Sequence, residues 1–377
     1  MTARGRAMLP VGLYLHYPWC LRKCPYCDFF SLPAPRDEER DQRYVTALLQ
    51  DFEALKPHLA GRNVSTVFLG GGTPSLLSPK LIGQILKTLA PCLAAGAEIT
   101  LELNPGSVDS AYFEAVRAQG VNRLSIGAQS FDDRLLRRLR RIHRACQIKD
   151  CVTAARAGGF DNINLDLMHG LPGQSVRQAL VDLRAALELG PEHLSWYELT
   201  LEEGTLLYEE RPQLPVEEEL AAMEDQGFEL LRRQGFAHYE ISAFAREGYR
   251  CAHNENYWRF HDYLGLGAGA HSKLFVKGQT LRRSNPEDAR AYCVGARGEF
   301  TAVPSTNVPF EYLLNRLRLF ERIPQSDFTR CTALPFALLE SKLKACAQEG
   351  LLVMDENGYE LTALGRRFLN TLLERFL

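Results

Sequence analysis

The stretch 98-EITLELNPGSVDSAYFEAVRAQGVNRLSIGAQ-129 changes its period twice. EITLELN (98–104) is a short run of β-branched and other apolar residues. DSAYFEAVRAQG (109–120) has helical spacing and stops at a glycine, and RLSIGAQ (123–129) is strand-like again. Strand, helix, strand is the βαβ unit from which parallel sheets are built. The alternation continues outward on both sides. Strand-like runs recur at VGLYLHY (11–17), TVFLGGG (66–72), NINLDLMHG (162–170) and HLSWYELT (193–200), with helical segments at 44–59, 79–93 and 175–190. Six βα units leave two architectures, a doubly wound sheet or most of a (β/α) barrel. Polar residues separate them. Glu102, Gln129, Asp166 and glycines 70–72 all stand at or near the C-terminal end of a predicted strand. In a parallel barrel those ends share one rim, where active sites lie. One such residue is explained as a strand cap; four together predict one site in a barrel mouth.

After about residue 210 the pattern changes. A predicted helix over 217–234, with an acidic, solvated start at 217–219, leads into HYEISAFA (238–245), HNENYWRF (253–260) and the glycine-rich YLGLGAGAHS (263–272). LFVKGQTLRR (274–283) predicts a hairpin turning at Lys277-Gly278. From residue 305, EYLLNRLRLF and FALLESKLKACAQEG read as helices, LLVMDENGYELT as a hairpin turning at Asn357-Gly358, and ALGRRFLNTLLERF as a closing helix. Helices followed by a short hairpin resemble a winged helix. The predicted division is a barrel over 1–210, an accessory region over 211–304 and a winged-helix-like domain over 305–377.

The chain has 377 residues, 46% hydrophobic and 24% charged, with a formal net charge of −2. There is no basic surplus, so no nucleic-acid partner is expected. No apolar run is long enough for a membrane span. The opening MTARGRAMLPVG has two arginines but no apolar core of a signal peptide, so a cytoplasmic location is expected. Ten cysteines in such a chain do not predict disulfides. Cys92, Cys146, Cys151, Cys251, Cys293, Cys331 and Cys346 lack ligand spacing and are expected as small buried apolar residues.

Cys20, Cys24 and Cys27 differ: in 14-YLHYPWCLRKCPYCDFF-30 they form C-x3-C-x2-C, so one loop after the first strand brings three thiolates to one centre. A closed zinc site would need a fourth ligand, for which His16 or Asp28 is available. The surrounding Tyr, Trp and Phe residues suit an iron–sulfur cluster shielded from water. Spacing alone leaves both open.

This loop, GGGTP (70–74) and the six βα units resemble the radical S-adenosylmethionine (SAM) superfamily. The resemblance implies an α/β fold, an incomplete (β/α)6 barrel with an accessory segment and a C-terminal winged-helix-like domain. It also implies a [4Fe-4S] cluster on Cys20, Cys24 and Cys27, with one iron left open to SAM, whose reductive cleavage is the superfamily's chemistry. YLHYPWCLRKCPYCDF, FLGGGTPSLL, ELNPG, SIGAQSF, RIH, NLDLMHGLPGQS and HNENYWRF narrow it. In this order they resemble the group containing oxygen-independent coproporphyrinogen III dehydrogenase and the shorter haem chaperone HemW. That group implies Tyr14 and Tyr26 near the cluster and Gly71, Gly72 and Thr73 at the methionine end of SAM. It implies Glu102 as a SAM-binding carboxylate, and Gln129, Arg141 and Asp166 as further SAM contacts.

The dehydrogenase pattern has another cysteine two residues after the third and a long segment ahead of the cluster. Here Phe29 takes that place, and 19 residues precede Cys20. Both departures resemble the chaperone branch. This implies haem binding, transfer to haem-requiring respiratory proteins, a reducing donor such as flavodoxin or ferredoxin, and transient work at the membrane face. HNENYW (253–258) then offers His253 as an imidazole for haem iron, with Tyr257 and Trp258 as flat faces. From chemistry alone the same residues are a core histidine and packing aromatics. A third reading, a redox- or haem-sensing DNA-binding regulator, needs a basic recognition helix. FALLESKLKACAQEG has only two lysines, against two glutamates.

Overall fold

The computed structural model describes residues 9–377. The arginine-bearing start of MTARGRAMLPVG, where no export signal was read, lies outside the described residues. Strand β1 (Val11–Tyr17) is buried at every position but Tyr14. The two-residue strands β2 (Trp19–Cys20) and β3 (Leu32–Pro33) pair with each other. Then come β4 (Val64–Gly71), β5 (Leu93–Leu103), β6 (Arg123–Gln129), β7 (Ile163–His169) and β8 (His193–Glu198). From β4 to β8 each strand is parallel to the one before, and β4 is parallel to β1. Helices such as Glu38–Leu55, Pro79–Leu89 and Val176–Glu188 make the return crossings. Their starts are written locally. Ser78 accepts the Leu81 N–H ahead of a proline in the first turn, and Ser175 with Gln178 forms a capping box.

The segment after residue 210 does not stand apart from this sheet. Strands β9 (Ala237–Glu240) and β10 (Ala243–Ala245) form a hairpin that adds antiparallel to β8. Strand β11 (Asp262–Leu266) adds parallel to β1, and β12 (His271–Val276), β13 (Gln279–Ser284) and β14 (Thr301–Ala302) follow antiparallel. The result is one sheet of twelve strands in the order β14-β13-β12-β11-β1-β4-β5-β6-β7-β8-β10-β9. Its parallel part never closes, because antiparallel strands bound it on both edges. This is the expected incomplete barrel, with β11 as a further parallel strand.

Several local expectations shift. The helix predicted over 79–93 ends at Leu89; a tight turn at Ala90–Cys92, containing Pro91, hands over to β5 at Leu93. The helix Asp133–Arg138 was not predicted, the helix Ala145–Ala157 ends at Gly158 as a helix-stopping glycine should, and HNENYW forms the helix Ala252–Trp258. The Lys277-Gly278 turn is present. The last hairpin, β15 (Leu352–Asp355) and β16 (Gly358–Leu361), turns one residue earlier than predicted, at Glu356 and Asn357. The Asp355 carboxylate accepts the N–H groups of Asn357 and Gly358 at 2.8 and 3.2 Å. Gly358 itself lies in the strand, where a Cβ would stand 2.3 Å from the Ile323 carbonyl oxygen.

One apolar core runs from Val11 through the barrel strands to Leu264, Leu274 and Tyr292. A second gathers residues of the last region, including Tyr312, Phe328, Leu343 and Tyr359, around Phe260. All ten cysteines are free. Cys151, Cys251, Cys331 and Cys346 are buried as expected, Cys92 and Cys293 are half-buried, and Cys146 is exposed near the start of its helix.

Candidate functional site

The cysteine loop is closed at its base. Leu32 donates to the Pro18 carbonyl at 2.7 Å and Ala34 to the Cys20 carbonyl at 2.9 Å, which makes the short β2–β3 ladder. The Cys27 N–H bonds the Cys24 carbonyl at 3.2 Å, forming a turn between the two thiols. The glycine run after β4 locks on from the other side: Gly72 donates to the Tyr17 carbonyl at 2.7 Å and Thr73 to the Trp19 carbonyl at 2.8 Å. Only glycine fits there. A Cβ on Gly72 would lie 2.5 Å from the Trp19 oxygen, and Gly71 has a positive φ of 114°.

The donor set suits a cluster better than a single ion. Among the described residues, no three His, Cys, Asp or Glu groups converge as one metal ion would require. His16 has both ring nitrogens engaged, Nδ1 with the Tyr14 hydroxyl at 3.0 Å and Nε2 with the Phe30 carbonyl at 2.8 Å, and Asp28 is exposed. A cubane spreads its ligands over separate corners, and three thiols leave one corner free. Burial pushes the Cys20 thiol up to about 11 and also raises Cys27. Metal loading must therefore displace protons.

A cavity of about 500 Å³ opens beside the thiols. Cys20, Cys24, Tyr26, Cys27, Gly71, Gly72, Thr73, Glu102, Gln129, Arg141 and Asp166 all line it, so these sequence candidates meet. Glu102, near the end of β5, accepts the Gly71 N–H at 3.2 Å. Burial, and then the nearby Asp166, push its carboxyl up to about 8. Asp166 is likewise raised by burial, although Ser125 and Asn164 donate to it at 3.0 and 2.8 Å. Gln129 ends β6 at a bulge with φ 67° and accepts the Tyr197 hydroxyl at 2.8 Å. The Arg141 guanidinium is 3.6 Å from the Cys24 sulfur and donates to the Gly127 carbonyl at 2.6 Å and to Asn104. Asn104 also holds the Thr73 hydroxyl at 3.0 Å. It stands in the quoted ELNPG stretch but was not singled out. The cavity presents two carboxyl groups and a guanidinium, a donor and acceptor set that suits a zwitterionic ligand.

A second cavity of about 780 Å³ shares Asp28, Phe29, Gly71, Glu102, Ser125, Asp166 and Asn254 with the first. Tyr14, His253, Tyr257 and Trp258 line this one and not the first. His253 is fully enclosed: Nδ1 pairs with the Thr66 hydroxyl at 2.9 Å and Nε2 with the Tyr257 hydroxyl at 3.0 Å. Burial holds its imidazole down to about 3. Glu98 accepts the Ala252 and His253 N–H groups, each at 3.0 Å, and so anchors the start of this helix. Trp258 has the Arg318 guanidinium 4.2 Å over its ring. Sequence reasoning missed Thr66 and Glu98. Their partners lie 187 and 155 residues away, and nothing local marks them.

A profile of the Radical SAM superfamily matches residues 14–185, and one of the HemN C-terminal domain matches residues 303–368. The chain is 44% identical to the heme chaperone HemW of Escherichia coli (strain K12) and 42% identical to that of Haemophilus influenzae, each match covering 98% of this chain and 98% of the relative. The solved structure of coproporphyrinogen III oxidase (HemN) from Escherichia coli, titled a radical SAM enzyme, superposes with a TM-score of 0.82 at 25% identity. That match covers 98% of this chain and 90% of that one. By identity of this extent along its whole length, the chain belongs to the HemW family of radical SAM proteins.

Proposed function

We propose that this chain is a haem chaperone that carries a [4Fe-4S] cluster and SAM in the first cavity, binds haem in the second, and passes haem to haem-requiring proteins, respiratory ones foremost. The observation that carries the reading is the near-full-length likeness to two proteins named as heme chaperones. Phe29 supports it: the residue is 64% exposed, lines both cavities, and offers no thiol where the dehydrogenase pattern has one. The likeness to coproporphyrinogen III oxidase keeps radical decarboxylation as the second reading.

The roles follow from donor chemistry. Cys20, Cys24 and Cys27 hold the cluster, and Tyr26 covers it. When bound and reduced, the cluster and SAM supply a one-electron step at the sulfonium. Gly71, Gly72 and Thr73 let backbone meet the methionine end of SAM. Glu102 takes its ammonium or hydroxyl donors, and Gln129, Arg141 and Asp166 orient the rest. Tyr14, Tyr257 and Trp258 give the macrocycle aromatic walls. His253 can ligate iron only by releasing Thr66 or Tyr257, and its two hydrogen bonds favour a positioning role for the Tyr257 phenol. A flavodoxin or ferredoxin would supply electrons. The working division is 1–210, 211–304 and 305–377, with strands of the middle region extending the barrel sheet at both edges. No helix among the described residues is long and apolar enough to cross a membrane. The reading places the work in the cytoplasm, with transient visits to the membrane face.

Anaerobic reconstitution with iron and sulfide, followed by parallel assays, tests this. Haem should bind stoichiometrically and move to an apo haem protein, while coproporphyrinogen III stays unconverted in the presence of SAM and reductant. Steady decarboxylation by the purified chain would restore the dehydrogenase reading.

A further inference from the structure

The glycine-rich stretch YLGLGAGAHS (263–272) has no role in the function so far. After β11 it lies flat against β1 and the cysteine loop. A Cβ on Gly267 would stand 2.4 Å from the His16 carbonyl oxygen, and one on Gly269 3.1 Å from the Phe30 ring. Tyr44 and Tyr292 hydroxyls accept the Ala268 and Gly267 N–H groups, both at 2.9 Å. The loop thereby delivers His271, the first residue of β12, to the exposed rim of the 780 Å³ cavity.

That cavity is lined by three imidazoles, His16, His253 and His271. The first two have both ring nitrogens hydrogen-bonded. The phenols are committed too: Tyr14 to His16, Tyr257 to His253, and Tyr263 to Arg282 at 2.7 Å. No cysteine or methionine lines it among the described residues. His271 differs. Its Nδ1 lies 2.7 Å from the Ser284 hydroxyl, directly across the β12–β13 ladder, and among the described residues its Nε2 has no hydrogen-bond partner, unlike the ring nitrogens of His16 and His253.

We propose that His271 Nε2 is the iron ligand for haem in this cavity, an inference that rests on the haem-carrying reading above. In the tautomer that donates its Nδ1 proton to Ser284 Oγ, His271 keeps its Nε2 lone pair free, which is how outer hydrogen bonds set the tautomer of metal-binding histidines. Phe30, Tyr257 and Trp258 supply apolar surface for the ring. A ligand on the rim lets the iron leave without disturbing the buried His253 pair.

The test is a haemin titration of the reconstituted full chain, read by the Soret band and ferric electron paramagnetic resonance. The expected result is a histidine-ligated signature in the wild type, lost in His271→Ala and restored by added free imidazole. Ser284→Ala should keep the band position and weaken binding by about 10-fold, the scale of outer-partner losses. His58→Ala, outside the cavity, should leave the spectrum unchanged. An unchanged signature in His271→Ala, indifferent to imidazole, overturns the ligand assignment and leaves the haem reading standing. A wild type that takes up no haem in stoichiometric amount overturns both. His271 and Ser284 are both exposed, so neither replacement disturbs the core.

Discussion

Glu102 is a carboxylate held where charge is costly, and its environment makes a pH-dependent prediction. Its folded value is pushed up to about 8 by burial and by Asp166, while a free glutamate titrates near about 4.3. The folded state therefore binds this proton more tightly than the unfolded state. The resulting stability is fully present below the unfolded value and is lost as pH rises through about 8. Each pH unit in that window is worth about 1.4 kcal/mol. In the SAM-free chain, Glu102→Gln should flatten the decline, so that urea midpoints at pH 5, 6.5 and 8 converge relative to wild type. Parallel slopes for the two proteins would place the proton elsewhere. The same variant should weaken SAM binding in calorimetry by about 1.5–3 kcal/mol, the scale of a charge-assisted hydrogen bond. Glu102, Gln129 and Asp166 were legible in sequence because a strand's end is a local feature and a polar residue there has few other uses. Thr66 and Glu98 were not legible, because what they hold is brought to them only by folding. His253 could be read as a candidate, but whether its nitrogens are free depends on Thr66 and Tyr257, so its role was not readable.

Elements make their own demands, and the helix Glu217–Arg233 shows two of them in conflict. Gly227 sits mid-helix and is buried against Trp196, where an added Cβ would lie 2.0 Å from a ring carbon. Alanine there would gain about 1 kcal/mol of helix propensity. Overpacking a full core costs about 1–3 kcal/mol, and the indole is itself buried and cannot swing aside. The clash should win. Gly227→Ala is expected to lower stability by about 1–2 kcal/mol in urea unfolding; a stabilised variant would mean that this helix shifts freely on the sheet. The six barrel strands were readable because both faces are buried and apolar runs result. The helix Asp133–Arg138 has six residues, too few to show a period. Strand β11 was hidden by Gly265 within DYLGL, and the Ala90–Cys92 turn by the apolar residues on either side of it.

For the whole molecule, the division by sequence pattern differs from the division by packing. The pattern breaks near residue 210, yet the strands beyond it complete the sheet, and the apolar core does not pause there. Asp51, on the helix Glu38–Leu55, joins the two stretches. Its buried carboxylate receives Arg283 at 2.7 Å, Tyr292 at 2.8 Å and Asn285 at 3.2 Å. Pattern reports local period, while a sheet is assembled from partners far apart in the chain, so this continuity was invisible in sequence. The two cavities share a wall that includes Gly71, Glu102 and Asp166. Under the proposed assignment of SAM to one cavity and haem to the other, this common wall closes a thermodynamic square. Whatever factor SAM imposes on haem affinity by fixing Glu102, haem must impose on SAM affinity, and coupling of this kind typically amounts to about 1–3 kcal/mol. Calorimetry in both orders of addition should return the same ratio, and a ratio of one would show that the wall transmits nothing. If the proposed reading holds, a carrier wired in this way would read its own loading state: release of haem would be felt at the cluster end, and SAM would be a signal as well as a reagent.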